Sequence, residues 1–155
     1  LREAFGDLWV LKGDLVCITT NGAVNKGGNN VMGAGCALEA RTRYPGIERK
    51  IGTSLATGRL AFLYLGRCYD VFGMGRELAA FPTKFHWKGK SDLALIEQSA
   101  RELMEFLSGA KTFEQVLLPR PGCGLGGLNW NTVQPLLASI LDDRVVVVGF
   151  EREQA

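Results

Sequence analysis

The sequence is poor in the residues that build metal centres and acid–base dyads. It holds a single histidine, His86, and four cysteines at positions 17, 36, 68 and 123. No C-x-x-C pair occurs among them, which argues against a zinc site and for reduced thiols in a cytoplasmic chain. Proline is sparse at five residues, and no run of 18 apolar residues exists to cross a membrane. Charge is nearly balanced, with 18 basic and 16 acidic residues giving a net +2. That is too little for binding nucleic acid by bulk electrostatics. Neither a metal nor a cofactor is expected, nor any membrane association.

What is abundant is glycine. Twenty of 155 residues are glycine, about twice the usual share. The excess concentrates between Gly22 and Gly35 and between Gly122 and Gly127. Each cluster stands between a strand-like run and a helix-like run. The first reads Val31-Met32-Gly33-Ala34-Gly35-Cys36-Ala37. The second reads Pro121-Gly122-Cys123-Gly124-Leu125-Gly126-Gly127-Leu128. Bare backbone N–H groups at a helix N-terminus attract anions, and glycine lets a phosphate come close. Neither segment runs into the G-K-[ST] ending of a P-loop. Two such loops far apart in sequence point to a clamp closing on a diphosphate from both sides; if not, the glycines serve only tight turns.

The pattern of the remaining chain places these loops. Strands are expected at Leu8 to Lys12 and Leu15 to Thr20, around a Gly13-Asp14 turn. Further strands are expected at Ala61 to Leu65, Tyr69 to Gly73, Leu78 to Phe81, Gln115 to Leu118 and Val145 to Val148. Helices are expected at Ala34 to Tyr44, Ser91 to Leu107 and Thr132 to Leu141. The middle helix is the clearest: Leu93, Ile96, Ala100, Leu103, Met104 and Leu107 form one apolar stripe. Its N-cap is read as Ser91 and that of the last helix as Thr132. The alternation of strands and helices implies an α/β fold, a three-layer α/β/α domain on a mixed, largely parallel sheet. Ligands of such sheets sit beyond the carboxyl ends of the strands, where both glycine loops would lie.

Three further features carry chemistry. Asp14, in Lys12-Gly13-Asp14-Leu15, offers a carboxylate to an adenine amino group; the alternative is a solvated turn. Phe150, after the last strand, offers a ring to stack on a base or simply closes the core. Phe81-Pro82-Thr83-Lys84-Phe85-His86-Trp87-Lys88 interleaves cations with aromatics just beyond a strand. A lysine walled by apolar rings gains reactivity as an amine nucleophile, which makes Lys84 a catalytic candidate and His86 an auxiliary one. The alternative is a surface lysine and a packing histidine.

Taken together, these pieces resemble the macro domain family over about Leu8 to Phe150. The matching segments are Lys12-Gly13-Asp14-Leu15, the asparagine of Thr20-Asn21-Gly22, the two glycine loops continued into Asn129-Trp130, and the late valine strand. Within that family the chain is most similar to the branch holding the DarG antitoxin and the terminal ADP-ribose glycohydrolase. The Met-Gly-x-Gly loop, the Phe81 to Lys88 tract and Gly122-Cys123-Gly124-x-Gly126-Gly127-Leu128 carry that likeness.

A single macro domain over 1–155 is expected, monomeric, and, in departing from DarG by having no second domain, a free-standing bacterial or phage protein. The resemblance implies Lys84 as the catalytic residue. It assigns Asp14 and Leu15 to the adenine end, with Phe150 on the adenine face. Asn21, in preference to Asn25, goes to the distal ribose. Met32, Gly33, Ala34, Gly35 and Cys36 hold the diphosphate from one side, and Gly122, Cys123, Gly124, Leu125, Gly126 and Gly127 from the other. The Asn21 to Asn30 stretch is longer than the family's Asn-x-x-Asn element. Gly126 stands where the eukaryotic relative carries a catalytic aspartate, so chemistry by lysine alone is expected. The implied activity is release of ADP-ribose from modified DNA (thymidine) or protein (glutamate), with a cognate ADP-ribosyltransferase as the natural partner. A non-catalytic ADP-ribose reader and a phosphatase acting on ADP-ribose 1″-phosphate are the rival readings.

Overall fold

The computed structural model describes residues 1–109 and 112–150. In it six strands form one sheet in the order β1-β6-β5-β2-β4-β3. The strands are β1 (Arg2–Phe5), β2 (Leu15–Asn21), β3 (Leu63–Tyr69), β4 (Gly75–Lys84), β5 (Val116–Pro119) and β6 (Val145–Gly149). The helices are α1 (Gly35–Arg43), α2 (Ile47–Leu55), α3 (Leu93–Leu107) and α4 (Trp130–Ala138). All neighbours pair in parallel except β3 with β4. The sheet is therefore mixed and largely parallel, as the alternation of elements implied.

Side-chain alternation sorts the sheet into two cores. Leu15, Cys17, Ala79, Phe81, Val116, Leu118, Val145 and Val147 face α3 and α4, meeting Ile96, Ala100, Leu103 and Leu137. Val16, Ile18, Leu78, Ala80, Leu117, Val146 and Val148 face the opposite way, onto Ala37, Ala40, Ile47 and Ile51. Successive residues of a strand point to opposite faces, so an uninterrupted apolar strand requires cover on both. That requirement builds the three layers.

Several elements depart from the sequence reading. Leu8 to Lys12 is a turn, not a strand: the N–H groups of Val10 and Leu11 donate to the Asp7 carbonyl. Its apolar residues pack on neighbours instead, with the Trp9 ring 6.0 Å from that of Tyr44. The real first strand, Arg2–Phe5, is short and charged and gains its place only by pairing with β6. Of Tyr69 to Gly73, only Tyr69 is in a strand, ending β3; the rest is the β3–β4 turn, organised by Asp70, whose Oδ1 accepts from the N–H of Phe72 and Met74. Helix α2 was missed because it follows directly on Pro45-Gly46. The caps of α3 and α4 are Asp92 and Asn129, not Ser91 and Thr132, since their side chains accept from Leu95 and Asn131 N–H. Pro135 lies within α4.

One difference shapes the site. Strand β4 does not stop at Pro82 but runs on to Lys84. Beyond Ala80 it has no β3 partner, so proline's missing N–H breaks no ladder there. The extra residues carry Lys84 out to the edge of the sheet, opposite Asn21 of β2.

Candidate functional site

Five strand ends meet at the carboxyl edge. Running across it are Gly6-Asp7 after β1, Gly149-Phe150 at β6, Arg120 to Leu128 after β5, Asn21 at β2 and Lys84 at β4. Chain connections leave in opposite directions from the adjacent strands β2 and β5. The β2 connection travels through α1 and α2 toward β3; that of β5 travels through α4 to β6. Such a switch point opens a crevice between the two departing loops, and here they are the two glycine loops.

The first loop enters α1. Helix α1 begins after Ala34, an extended residue with no side-chain cap, and Gly33, Ala34 and Gly35 are exposed. Its first N–H groups therefore point outward with no capping side chain. A Cβ at Gly33 would meet nothing within 4 Å, whereas one at Gly35 would lie 3.6 Å from Leu125 Cδ1 of the second loop. The two loops thus touch across the crevice. Met32 is 1% exposed and belongs to the core, so only its backbone can face a ligand. Burial pushes the Cys36 thiol up to about 12, which keeps it protonated and unreactive at neutral pH.

The second loop turns through a short 3-10 segment, Gly124–Gly126. Gly124 takes φ +68° in open space, while Gly122 and Gly126 are packed hard. A Cβ at Gly126 would stand 2.3 Å from Ser91 Oγ and 4.0 Å from Lys84 Cε. Lys84 is thereby placed against this loop, with Asn21 beside it in the sheet; Gly22 N–H donates to the Lys84 carbonyl at 3.0 Å. Ser91 Oγ is buried without a hydrogen-bond partner among the described residues and fills the space a side chain at 126 would need. Cys123 Sγ lies 3.7 Å from the Pro121 carbonyl.

The asparagines organise the first loop from below. Asn21 Nδ2 donates to the Val31 carbonyl at 2.9 Å, and its Oδ1 accepts from Ala23 N–H at 3.0 Å. Asn30, buried at 2% exposure, donates to Asn21 Oδ1 and to the Ala23 carbonyl. Asn25 Oδ1 accepts from Gly27 and Asn29 N–H, shaping an exposed turn. The insertion relative to Asn-x-x-Asn is thus a small hairpin, bridged at Val24 and Asn30. It lies against α2 where Gly52 brings no Cβ; one there would stand 2.0 Å from the Gly28 carbonyl oxygen.

Other sequence candidates fall elsewhere. Asp14 precedes β2 and so lies at the amino edge, across the sheet from both loops. Its Oδ2 accepts from Glu114 and Gln115 N–H, both at 2.9 Å, pinning the turn to the start of β5. Leu15 is 0% exposed inside the core. Neither can reach the crevice. Phe85 and Trp87 do not wall Lys84, being 60% and 48% exposed. His86 lies in the same exposed turn, its Nδ1 accepting from Lys88 N–H at 3.2 Å.

Asp7, unlike Asp14, lies at the carboxyl edge. It ends the β1 edge next to Gly149, to which Gly6 N–H donates at 3.0 Å, and so neighbours Phe150. Its Oδ1 accepts from Trp9 N–H. The signal was present: the chain contains Gly-Asp-Leu twice, at 6–8 and at 13–15. Asn30 and Ser91 were also missed; neither has a motif of its own.

Comparison with known proteins agrees with this architecture. The macrodomain of Mycobacterium tuberculosis DarG superposes with a TM-score of 0.76 at 26% identity, covering 95% of each chain. The fold is a macro domain. The macrodomain of Thermus aquaticus DarG gives a TM-score of 0.78 at 24% identity over 97% of both chains. Thermosipho africanus DarTG in complex with ADP-ribose gives 0.76 at 24%, covering 95% of this chain and 41% of that one. In sequence, the DNA ADP-ribosyl glycohydrolase of Mycobacterium tuberculosis is 30% identical over 132 residues, 82% of this chain and 36% of that protein. The chain spans about a third or less of the length of the curated relatives it matches. No family profile matches it.

Proposed function

We propose that this macro domain binds ADP-ribose along the carboxyl edge and releases it from modified DNA, with Lys84 as the catalytic residue. The observation that carries the reading is the meeting of Lys84 with Gly126 and Asn21 at the end of the crevice opposite Phe150 and Asp7. The strand order β1-β6-β5-β2-β4 spans four sheet spacings, about 19 Å. Along it lie an aromatic and a carboxylate, then two glycine loops, then an asparagine and a lysine. That sequence of groups complements adenosine, diphosphate and distal ribose in turn.

In this reading Asp7, not Asp14, receives the adenine amino group, and Phe150 covers the base. Backbone N–H groups of residues 33–36 and 122–127 hold the diphosphate. Lys84 Nζ forms a bond to C1″ as the bond from C1″ to the base breaks. The base leaves with the electron pair and takes up a proton; water then cleaves the lysine adduct, regenerating the amine. The fixed loop dipoles favour the oxocarbenium-like charge by anchoring its diphosphate neighbour. The names of the relatives, DNA ADP-ribosyl glycohydrolases, support a base of DNA as the leaving group and an ADP-ribosyltransferase as the partner.

The test is direct competition of substrates. ADP-ribosylated oligothymidine, an ADP-ribosyl-glutamate peptide and ADP-ribose 1″-phosphate are incubated side by side with wild type and Lys84→Ala. The expected result is release of ADP-ribose from the oligonucleotide by wild type alone. Full activity of Lys84→Ala, or turnover of the phosphate only, overturns the reading.

A further inference from the structure

We propose that residues 85–90, flanked by Arg59, form a docking ridge for the single-stranded DNA on either side of the modified base. The inference rests on the DNA reading of the Lys84 site. The ridge begins one residue beyond Lys84, so whatever occupies it is continuous with the crevice.

The composition is the first argument. From Leu78 through Ser91 there is no acidic residue, while Lys84, Lys88 and Lys90 are all basic. The nearest carboxylate, Asp92, is engaged as the cap of α3. In a chain of net charge +2, this is a local concentration of positive charge at one end of the site.

The second argument is exposure. Large aromatics are normally buried, yet Phe85 is 60% and Trp87 48% exposed. Trp87 is held rather than loose: His86 stacks on it at 5.7 Å and 28°, and Lys88 Nζ lies 5.0 Å from its ring centre. Lys90 lies along Gly127, within 3.7 Å of where a Cβ there would be, and so reaches the second loop. On the far flank, exposed Arg59 shares a small cavity with Asn21 and Pro82. Gly22 links the sides, since a Cβ there would meet both the Phe85 carbonyl and Leu60.

Ring faces interleaved with cations are what a single strand requires: bases stack on the rings, and phosphates meet the lysines. A duplex hides its ring faces and would leave Phe85 and Trp87 without a partner. A second exposed aromatic turn serves as a control. Phe72, 87% exposed, sits on the β3–β4 turn at the amino edge, away from the crevice.

Binding of a labelled, unmodified oligothymidine is measured by fluorescence anisotropy, so that no turnover is needed. Wild type should bind, and more weakly as salt rises. The double variants Phe85→Ala/Trp87→Ala and Lys88→Glu/Lys90→Glu should each lose about ten-fold or more in affinity. Phe72→Ala should lose none, and calorimetry should show unchanged affinity for free ADP-ribose in Phe85→Ala/Trp87→Ala and in Phe72→Ala. Absence of binding, equal binding of the duplex, unchanged binding in both double variants, or equal loss in Phe72→Ala overturns the ridge. Equal loss of turnover on an ADP-ribosyl-glutamate peptide overturns it too. If ridge-dependent binding is found but wild type cleaves no ADP-ribosylated oligonucleotide, the ridge stands and the hydrolase reading falls.

Discussion

The two glycine loops look alike in sequence and differ in what their glycines are for. In the first, Gly33 faces open space, and a Cβ there would meet no atom of the described residues within 4 Å. In the second, a Cβ at Gly122 would meet Ile96 at 2.7 Å and Leu128 at 2.9 Å, and one at Gly126 would strike Ser91. The first loop is bare with open space at Gly33, which suits the proposed diphosphate site. The second is bare chiefly because the protein itself closes in on it, leaving Gly124 as its open position. Glycine content alone does not distinguish a loop that must be approached from one that must be packed.

The largest expected effect separates chemistry from binding. Lys84 belongs to the second loop's side of the crevice, and Lys84→Ala should lower kcat by about 10²- to 10⁴-fold. ADP-ribose affinity should stay within a few fold, since the loops hold the diphosphate. A matching collapse of affinity, read by calorimetry, would make Lys84 a binding residue instead.

Next comes the contrast between the glycines themselves. Gly122→Val should destabilise the fold by about 3 kcal/mol or more, through overpacking against Ile96 and a strained backbone at φ +78°. Gly33→Glu should leave the melting temperature nearly unchanged and abolish ADP-ribose binding, because its carboxylate occupies the phosphate position. Thermal melts and titrations on the same two proteins decide it; binding retained in Gly33→Glu would show that the first loop does not face the ligand.

Smaller effects are expected at the two Gly-Asp-Leu turns. Asp7→Ala should weaken ADP-ribose binding by about 1–3 kcal/mol, the usual loss for a hydrogen bond to a charged group. Asp14→Ala should leave affinity alone and cost stability instead, by freeing Glu114 and Gln115 N–H. The reverse pattern would return adenine recognition to Asp14.

The smallest effect is one of pH. With its pKa at about 12 against an ordinary 9.0, Cys36 keeps its proton in the folded chain while the unfolded chain loses it. Above pH 9 the folded state binds more protons, so its stability falls as pH rises and the contribution is lost by about pH 12. Cys36→Ala should flatten that alkaline decline in denaturant titrations. An unchanged slope would show that the thiol is not shielded at the loop.

Much of the fold was legible because it is written in local periodicity. The stripe of α3 and the runs Leu15 to Thr20 and Val145 to Val148 state their burial directly, and the order of elements implied the layers. Helix α2 and strand β1 were not legible. The first follows a turn signal immediately, and the second is four residues of mixed character that only β6 makes into a strand. Within the site, the glycine loops and Lys84 could be read, while Asn30 and Ser91 could not, since one buried asparagine or serine carries no pattern.

By itself, the sequence determined the α/β layers, the two loops after strands and the aromatic–lysine tract beyond a third. It could not choose between Phe5-Gly6-Asp7-Leu8 and Lys12-Gly13-Asp14-Leu15, which offer a carboxylate in the same tripeptide. Only the tertiary structure decided. Parallel pairing gives the sheet two unlike edges, and Asp7 follows its strand while Asp14 precedes one. A residue's edge is set by the direction of its strand in the sheet, and that direction is a property of pairing between distant segments, not of any local run of residues.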